Sequence, residues 1–340
     1  MKASIIIPCW NCADTLGRCL ACVRAQTLSG FEAIFVDDGS TDATAEILSR
    51  ASVADSRIRV VTFPENRGVS AARNAGLDLA SGRFVFFADP DDEFRADLLE
   101  KGVAAMESED ADYCVFPHRE KVRGESDFRY VPLKGTCRYA SNEEIRRLHL
   151  TRMFGYSAAQ VRAWYAGEDL FAHRMHGGVW CCVYRLELIR RHGVRFDERI
   201  RLYEDGMFNC EYMLRAQRMT SLEEPLYDYI RAPTGAVARL RRGDAELENK
   251  LELLRKRKEL DVKGGGGLAD SYACSCVFSL LEMLRIVLSD RVSSIRSGYR
   301  LICEYGSDDV VRTALSTFPL SFRHPLLALS VLVLRIRFCL

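Results

Sequence analysis

Three acidic clusters are the residues best placed to do chemistry: Asp37-Asp38, Asp89-Pro90-Asp91-Asp92 and Glu204-Asp205. The first follows the apolar run Ala33-Ile-Phe-Val36, and the second follows Arg83-Phe-Val-Phe-Phe87. Carboxylates gathered at one rim repel one another unless water or a cation neutralises them. Oxygen-only ligands suit Mg²⁺ or Mn²⁺ rather than zinc, and a hard ion with few protein ligands leaves positions for phosphate oxygens. A metal-bound phosphate ligand is therefore the expectation. Asp37 and Asp42 serve equally well as turn and helix-cap residues. The run at 89–92 holds more carboxylates than a turn requires. Read alone, Glu204 and Asp205 equally well load the amino terminus of a helix against its dipole.

The elements around these clusters alternate strand and helix. Ser4–Ile7 is a short apolar run stopped by Pro8, and Leu16, Cys19, Leu20 and Val23 recur at helical spacing within Asp14–Gln26. A second strand, Ala33–Val36, precedes a helix capped by Thr41 or Asp42 and reaching Arg50. Ile58–Phe63 reads as strand, Val69–Ala80 as helix ended by Gly82, and Arg83–Phe87 as a fourth strand. Strands that are apolar throughout are those of a parallel sheet covered on both faces. The alternation implies an α/β domain with right-handed crossovers, in which ligands sit outside the carboxyl ends of the strands.

Composition narrows the class. Hydrophobic residues make up 48% of the chain and charged residues 28%, which excludes a disordered chain or a small disulfide scaffold. The net charge of +1 gives no argument for a nucleic-acid partner. Met1–Trp10 is too quickly polar to read as an export signal, and no run approaches the ~20 apolar residues of a bilayer span. Thirteen scattered cysteines then suggest buried thiols in a reducing, cytoplasmic setting. Cys9-x-x-Cys12 and Cys19-x-x-Cys22 are better explained by packing than by zinc.

Four segments, in order, resemble the inverting family 2 glycosyltransferases: Ser4-Ile-Ile-Ile-Pro-Cys-Trp-Asn11, Phe35-Val-Asp-Asp-Gly-Ser-Thr-Asp42, Glu65-Asn-Arg-Gly-Val-Ser-Ala-Ala-Arg-Asn-Ala-Gly76 and Phe87-Ala-Asp-Pro-Asp-Asp92. The resemblance is strong over residues 1–115, moderate to 232 and slight beyond. It implies the GT-A nucleotide-diphospho-sugar fold, a mixed, mostly parallel sheet flanked by helices, with a C-terminal helical extension. Residues 1–115 would bind the nucleotide sugar, 116–232 would hold the acceptor and catalytic part, and 233–340 would be helical. By position, Pro8, Trp10 and Asn11 would flank the base, Asp38 would bond its edge and Asp37 would support the turn. Arg73 and Asn74 would lie near the diphosphate. Asp89 and Asp91 form the Asp-x-Asp that touches ribose and metal, with Asp92 as the neighbouring candidate ligand. Trp10 stands where the family usually has Tyr.

The resemblance also implies that Asp205 is the catalytic base, supported by Glu204. Asp205 would take a proton from an acceptor hydroxyl as that oxygen attacks the anomeric carbon. Glu168-Asp169 is a competing pair, but it precedes Trp180, whereas the family's base follows the Trp segment. In Val179-Trp-Cys-Cys-Val-Tyr-Arg185, the residues Cys181 and Cys182 replace the family's Asn-Lys, beside Trp180 on the expected acceptor side. His173 and His176 read as surface or acceptor-loop histidines. Arg255-Lys-Arg-Lys258 lies on a solvated helical face. Pro325–Leu340 is apolar and flanked by Arg323, Arg335 and Arg337, which fits a helix lying in an anionic membrane interface or packed on the core. The implied activity is transfer of a sugar from a nucleotide-diphosphate donor, UDP before GDP, to a glycan or lipid-linked acceptor with Mg²⁺ or Mn²⁺. It would occur on the cytoplasmic side, peripherally at the inner face of the plasma membrane. A nucleotidyltransferase and a non-catalytic nucleotide-sugar binding module are the rival readings. The first would want a Gly-rich, basic loop after strand one, which Cys9–Gly17 lacks.

Overall fold

A computed structural model of the chain describes residues 1–135, 137–169, 177–232, 243–288, 295–318 and 325–339. It divides into two compact units, Met1–Arg146 with Gly177–Gly235 and Arg147–His176 with Ala236–Leu340.

The first unit opens β1 (Ala3–Cys9), α1 (Ala13–Arg24), β2 (Phe31–Asp37), α2 (Thr44–Ala54), β3 (Ile58–Thr62), α3 (Val69–Leu79) and β4 (Phe84–Phe87). Every residue of β1, β2 and β4 is buried, as expected for strands covered on both faces. The chain continues through β5 (Glu93–Phe94), α4 (Leu98–Ser108), β6 (Tyr113–Val115), β7 (His118–Val122) and β8 (Arg129–Val131). After the segment assigned to the second unit come β9 (Cys182–Arg185), a helix Leu186–His192, the helix Glu204–Met213, β10 (Met219–Ser221) and β11 (Tyr227–Arg231). Seven strands make the main sheet in the order β10-β6-β9-β4-β1-β2-β3, parallel except for β9. A four-stranded sheet, β5-β11-β7-β8, stands apart from it. The expected mixed, mostly parallel sheet flanked by helices is present.

At the amino ends of the strands, Glu32 ties the first turns of the sheet together. It accepts from Ser4 Oγ at 2.7 Å, from Ser81 N at 2.6 Å and from Arg59 Nη1 at 2.8 Å. Ser4 Oγ in turn accepts from Gly82 N at 2.9 Å. A Cβ on Gly82 would lie 2.4 Å from the backbone carbon of Ala3, so only glycine lets the turn before β4 approach β1 this closely.

The second unit is helical. Its longest helices are Gly243–Lys263 and Ala269–Leu288. Ala269–Leu288 is long and apolar enough to cross a membrane by length and composition, a run the opening reading did not credit. Most of it is buried inside the unit, with Cys276, Val277, Leu280 and Met283 in the core. Helix Pro325–Phe338 buries Val331, Leu334 and Phe338 and exposes Leu332 and Val333. Arg335 donates to the carbonyls of Leu315 and Phe318 at the end of helix Asp309–Thr317, a favourable place for a cation. One face of this helix is therefore packed on its own unit.

Burial opposes ionisation of Glu32, but Arg59, Ser4 and Ser81 outweigh it and bring its pKa to about 2. A carboxyl depressed in the folded state stabilises above its unfolded pKa, and that contribution disappears as pH falls toward 2. Glu32→Gln should therefore lower unfolding free energy by about 2 kcal/mol at pH 7, where it loses charged hydrogen bonds. The difference from wild type should shrink between pH 4.5 and pH 2 in urea titrations.

Candidate active site

The carboxyl ends of β1 and β2 carry two loops sewn together by side chains. Asn11, at φ 47°, accepts from Thr41 N at 2.8 Å, and its own N–H donates to Ser40 Oγ at 2.9 Å. Asparagine tolerates that left-handed backbone better than most residues. Asp42 accepts from Ala13 N at 3.1 Å and from Thr44 N at 3.0 Å, so the capping alternative describes it well. Asp37 closes its turn by accepting from Ser40 N, while its other carboxylate oxygen is buried without a partner. Trp10 stands out at 43% exposure above buried Pro8.

Asp38 is buried and cupped by the loop before α3. It accepts from Arg67 N at 2.7 Å, Gly68 N at 2.8 Å and Asn66 Nδ2 at 3.0 Å. A carboxylate offers about four lone-pair sites, so one remains for a further donor. Gly39, at φ +66°, is what lets this turn form, because a Cβ there would lie 2.4 Å from the carbonyl carbon of Glu65.

Arg73 sits at the centre of the site. Its guanidinium is buried and bonds Asp205 Oδ1 at 2.5 Å, Asp89 Oδ1 at 3.0 Å and Glu204 Oε1 at 3.1 Å. Phe196 lies under it at 5.3 Å. Burial alone would favour loss of its proton, but Asp205, Asp89 and Glu204 more than offset this and hold it above its ordinary range. The same burial acts on the acids. It pushes Asp89 up to about 6 despite Arg73. It pushes Glu204 up to about 8, helped by the charge of Asp205 and opposed by Arg73. Burial and the charge of Asp205 thus bias Glu204 toward its protonated form.

The start of helix Glu204–Met213 is built to present these two acids. Tyr203, just before it, is held at φ 68°, an uncommon backbone for a bulky residue and a mark of local constraint. Gly177 packs against the first turn, where a Cβ on it would lie 3.3 Å from the Cα of Gly206. Asp205 Oδ2 also accepts from Val179 N at 3.4 Å. One turn on, buried Asn209 donates to Gly177 O and accepts from Tyr113 and Tyr184 hydroxyls.

The two candidate metal ligands that follow the Asp-x-Asp reading separate clearly. Asp92 is 1% exposed, and both its oxygens are engaged, by Tyr227 OH at 2.9 Å and by Ile230 N at 2.7 Å. Tyr227 OH also accepts from Asp89 N at 2.9 Å, so Asp92 fixes the loop from below. Asp91 is half-exposed, with Arg123 Nη2 at 3.3 Å from Oδ2. Burial raises its pKa, and Arg123 opposes that. Among the described residues no group of three His, Cys, Asp or Glu forms a ready-made cage. Asp89 and Asp91 fit a hard ion that takes its other ligands from phosphate oxygens.

Other residues singled out in the sequence lie elsewhere. Asn74 holds both backbone groups of Phe196, at 2.9 and 3.0 Å, so it ties α3 to the loop before Glu204. Trp180 is buried, stacked on Tyr227 and Tyr229 at 4.8 and 5.1 Å with His118 against its edge. Cys181 and Cys182 are buried free thiols, Cys182 lying 3.0 Å from Tyr113 OH. Glu168 and Asp169 are exposed beyond helix Ala158–Ala166 in the second unit, while Arg73 gathers the other pair. His173 and His176 lie outside the described residues. The roles of Tyr227, Phe196 and Arg123 were not read from the sequence. The aromatic alternation Tyr227-Asp-Tyr229 was the one available sign of them.

A mostly parallel sheet whose carboxyl rim carries Asp38, an Asp-x-Asp and a helix-borne acid pair is the GT-A architecture. Residues 4–166 match the family model of glycosyl transferase family 2. It is 32% identical over 233 residues to the uncharacterized glycosyltransferase EpsJ of Bacillus subtilis, covering 68% of this chain and 61% of EpsJ. It is 28% identical over 203 residues to the succinoglycan biosynthesis protein ExoO of Rhizobium meliloti, covering 59% and 53%. The chain thus spans less than two thirds of these relatives' lengths. The fold matches the crystal structure of S. aureus TarS 1–349 in complex with UDP, with a TM-score of 0.67 and 18% identity over 99% of this chain and 88% of that one.

Replacing Arg73 by Met should expose the charge balance. The variant leaves the half-buried Asp89, Glu204 and Asp205 clustered without their cation and should lose about 2 kcal/mol of stability at pH 7. Without the guanidinium these acids bind protons more readily folded than unfolded. The deficit should therefore narrow as pH falls from 7 to 5, in denaturant titrations at each pH.

Proposed function

We propose that this protein is an inverting glycosyltransferase that uses a nucleotide-diphosphate sugar, with UDP as the first nucleotide to test. The observation that carries the reading is the buried Arg73, which brings the Asp-x-Asp residue Asp89 within one guanidinium's reach of Glu204 and Asp205. Donor and acceptor chemistry thereby share one point. Pro8 and Trp10 flank the base, and the lone-pair site left on Asp38 suits the single N–H of a uracil edge. Asn74 and Asp92 act as positioning residues. Asp89 and Asp91 would hold Mg²⁺ or Mn²⁺, which when bound would supply positive charge for the departing diphosphate. UDP is also the ligand of the TarS crystal structure that shares the fold.

Asp205 accepts the proton of the acceptor hydroxyl as its oxygen attacks the anomeric carbon opposite the leaving group. Glu204, carrying its own proton, donates a hydrogen bond that orients Asp205. The acceptor is a glycan or a lipid-linked glycan in polysaccharide synthesis, in keeping with the name of ExoO. Leu332, Val333 and Arg337 would provide peripheral membrane contact through residues 325–340.

Release of nucleoside diphosphate from UDP- and GDP-sugars, with Mn²⁺ and with chelator, tests the reading. Asp205→Asn should keep donor binding and lose turnover by about 10²–10⁴-fold. Glu204→Gln, which keeps a hydrogen-bond donor, should stay within about tenfold of wild type at pH 7. Wild-type turnover should fall above about pH 8 as Glu204 ionises beside Asp205, and the Gln variant should lack that fall. Unchanged turnover in Asp205→Asn would remove it as the base.

A further inference from the structure

Arg123, near the Asp-x-Asp loop, is held by its backbone and loosely engaged by its side chain. It follows β7 in a tight turn, where Glu125 N donates to Val122 O at 3.0 Å and Val122 N donates to the Glu125 carboxylate at 3.0 Å. Arg123 N donates to Arg231 O at the end of β11 at 2.9 Å, and Gly124 takes φ +101° to complete the turn. Among the described residues the side chain pairs with Asp91 Oδ2 at 3.3 Å, with 45% and 38% of the two side chains exposed. Arg73 is buried among three acids, and Arg18 faces Glu93 at 3.6 Å.

A long, exposed ion pair of this kind is worth less than about 1 kcal/mol, so a competing cation displaces it easily. A divalent ion on Asp91 would repel the guanidinium from the same carboxylate. The pinned turn keeps the displaced side chain within reach of the same loop. A diphosphate held there offers the planar, bidentate acceptor that guanidinium favours. We propose that Arg123 neutralises Asp91 in the metal-free protein and passes to the donor's diphosphate when the metal takes its place. It is thus a second donor-binding cation of this site. The proposal rests on the assignment of Asp91 as a metal ligand.

The two halves of the exchange act in opposite directions, which makes it testable by binding alone. Mn²⁺ affinity is measured by electron paramagnetic resonance without nucleotide, and UDP and GDP affinity by calorimetry at saturating Mn²⁺. Arg123→Gln should bind Mn²⁺ alone about threefold more tightly, because its competitor is gone. It should bind the nucleoside diphosphate about tenfold more weakly, because a charged hydrogen-bond donor is gone. Circular dichroism and melting should match wild type, since the residue is on the surface. Affinities that are both unchanged, or that move in the same direction, would overturn the exchange. Asp91→Asn is the control for the assignment beneath it. If that variant binds Mn²⁺ as wild type does, the metal site itself is misplaced, whereas its loss of Mn²⁺ with an unaltered Arg123→Gln refutes the role of Arg123 alone.

Discussion

A buried guanidinium is the constraint on which the site depends. Arg73 lies on α3, its partners Glu204 and Asp205 begin a helix 131 and 132 residues later, and Asp89 follows β4. Three acids around one cation would be an expensive arrangement if all were ionised, because burial leaves little water to screen them. Burial biases Glu204 toward its protonated form, which reduces the mismatch, and a divalent ion on the Asp-x-Asp side would reduce it further. Arginine suits the position because its planar fork serves several carboxylates at once, where an ammonium would act as a point charge.

Beneath that cation the loop bearing Asp89 and Asp91 stands on a rigid floor. Asp92 receives the Tyr227 hydroxyl, which receives the Asp89 amide. Tyr227 and Tyr229 stack on Trp180, so the polar chain is backed by aromatic surface. Adjacent acids thus take opposite tasks. Asp92 points into the floor and accepts two strong hydrogen bonds, and Asp91 points out and holds a weak, replaceable partner. The second sheet serves this purpose, since β11 brings Tyr227, Ile230 and Arg231 to the loop and β7 brings the Arg123 turn.

The first ninety residues were legible because their strands are short, apolar runs with acids at their ends, and each strand expected there is present within a residue or two. The second sheet was not. β7 reads His-Arg-Glu-Lys-Val and is mostly half-buried, so it carries no apolar signal. The split between Asp91 and Asp92 could not be read either, because it is decided by Tyr227 and Ile230, 135 and 138 residues away. Asn74 and Trp180 matched motif positions, yet their tasks come from neighbours that only folding supplies. The run Ala269–Leu288 shows the converse, a span-length apolar helix whose partners lie within its own unit.

The acid pair shows why position alone does not assign a role. Glu204 and Asp205 are neighbours on one helical turn, and either could accept a proton. Their environments separate them: burial lifts Glu204 to about 8, while Asp205 takes the shortest contact to Arg73 and a backbone N–H from Val179. Burial thus favours the protonated form of one acid of the pair, Glu204. Arg73 fixes the orientation of Asp205 through Oδ1, and the Val179 N–H through Oδ2. The strained backbone at Tyr203 and the close approach of Gly177 to Gly206 are the local conditions that let both acids point at one guanidinium.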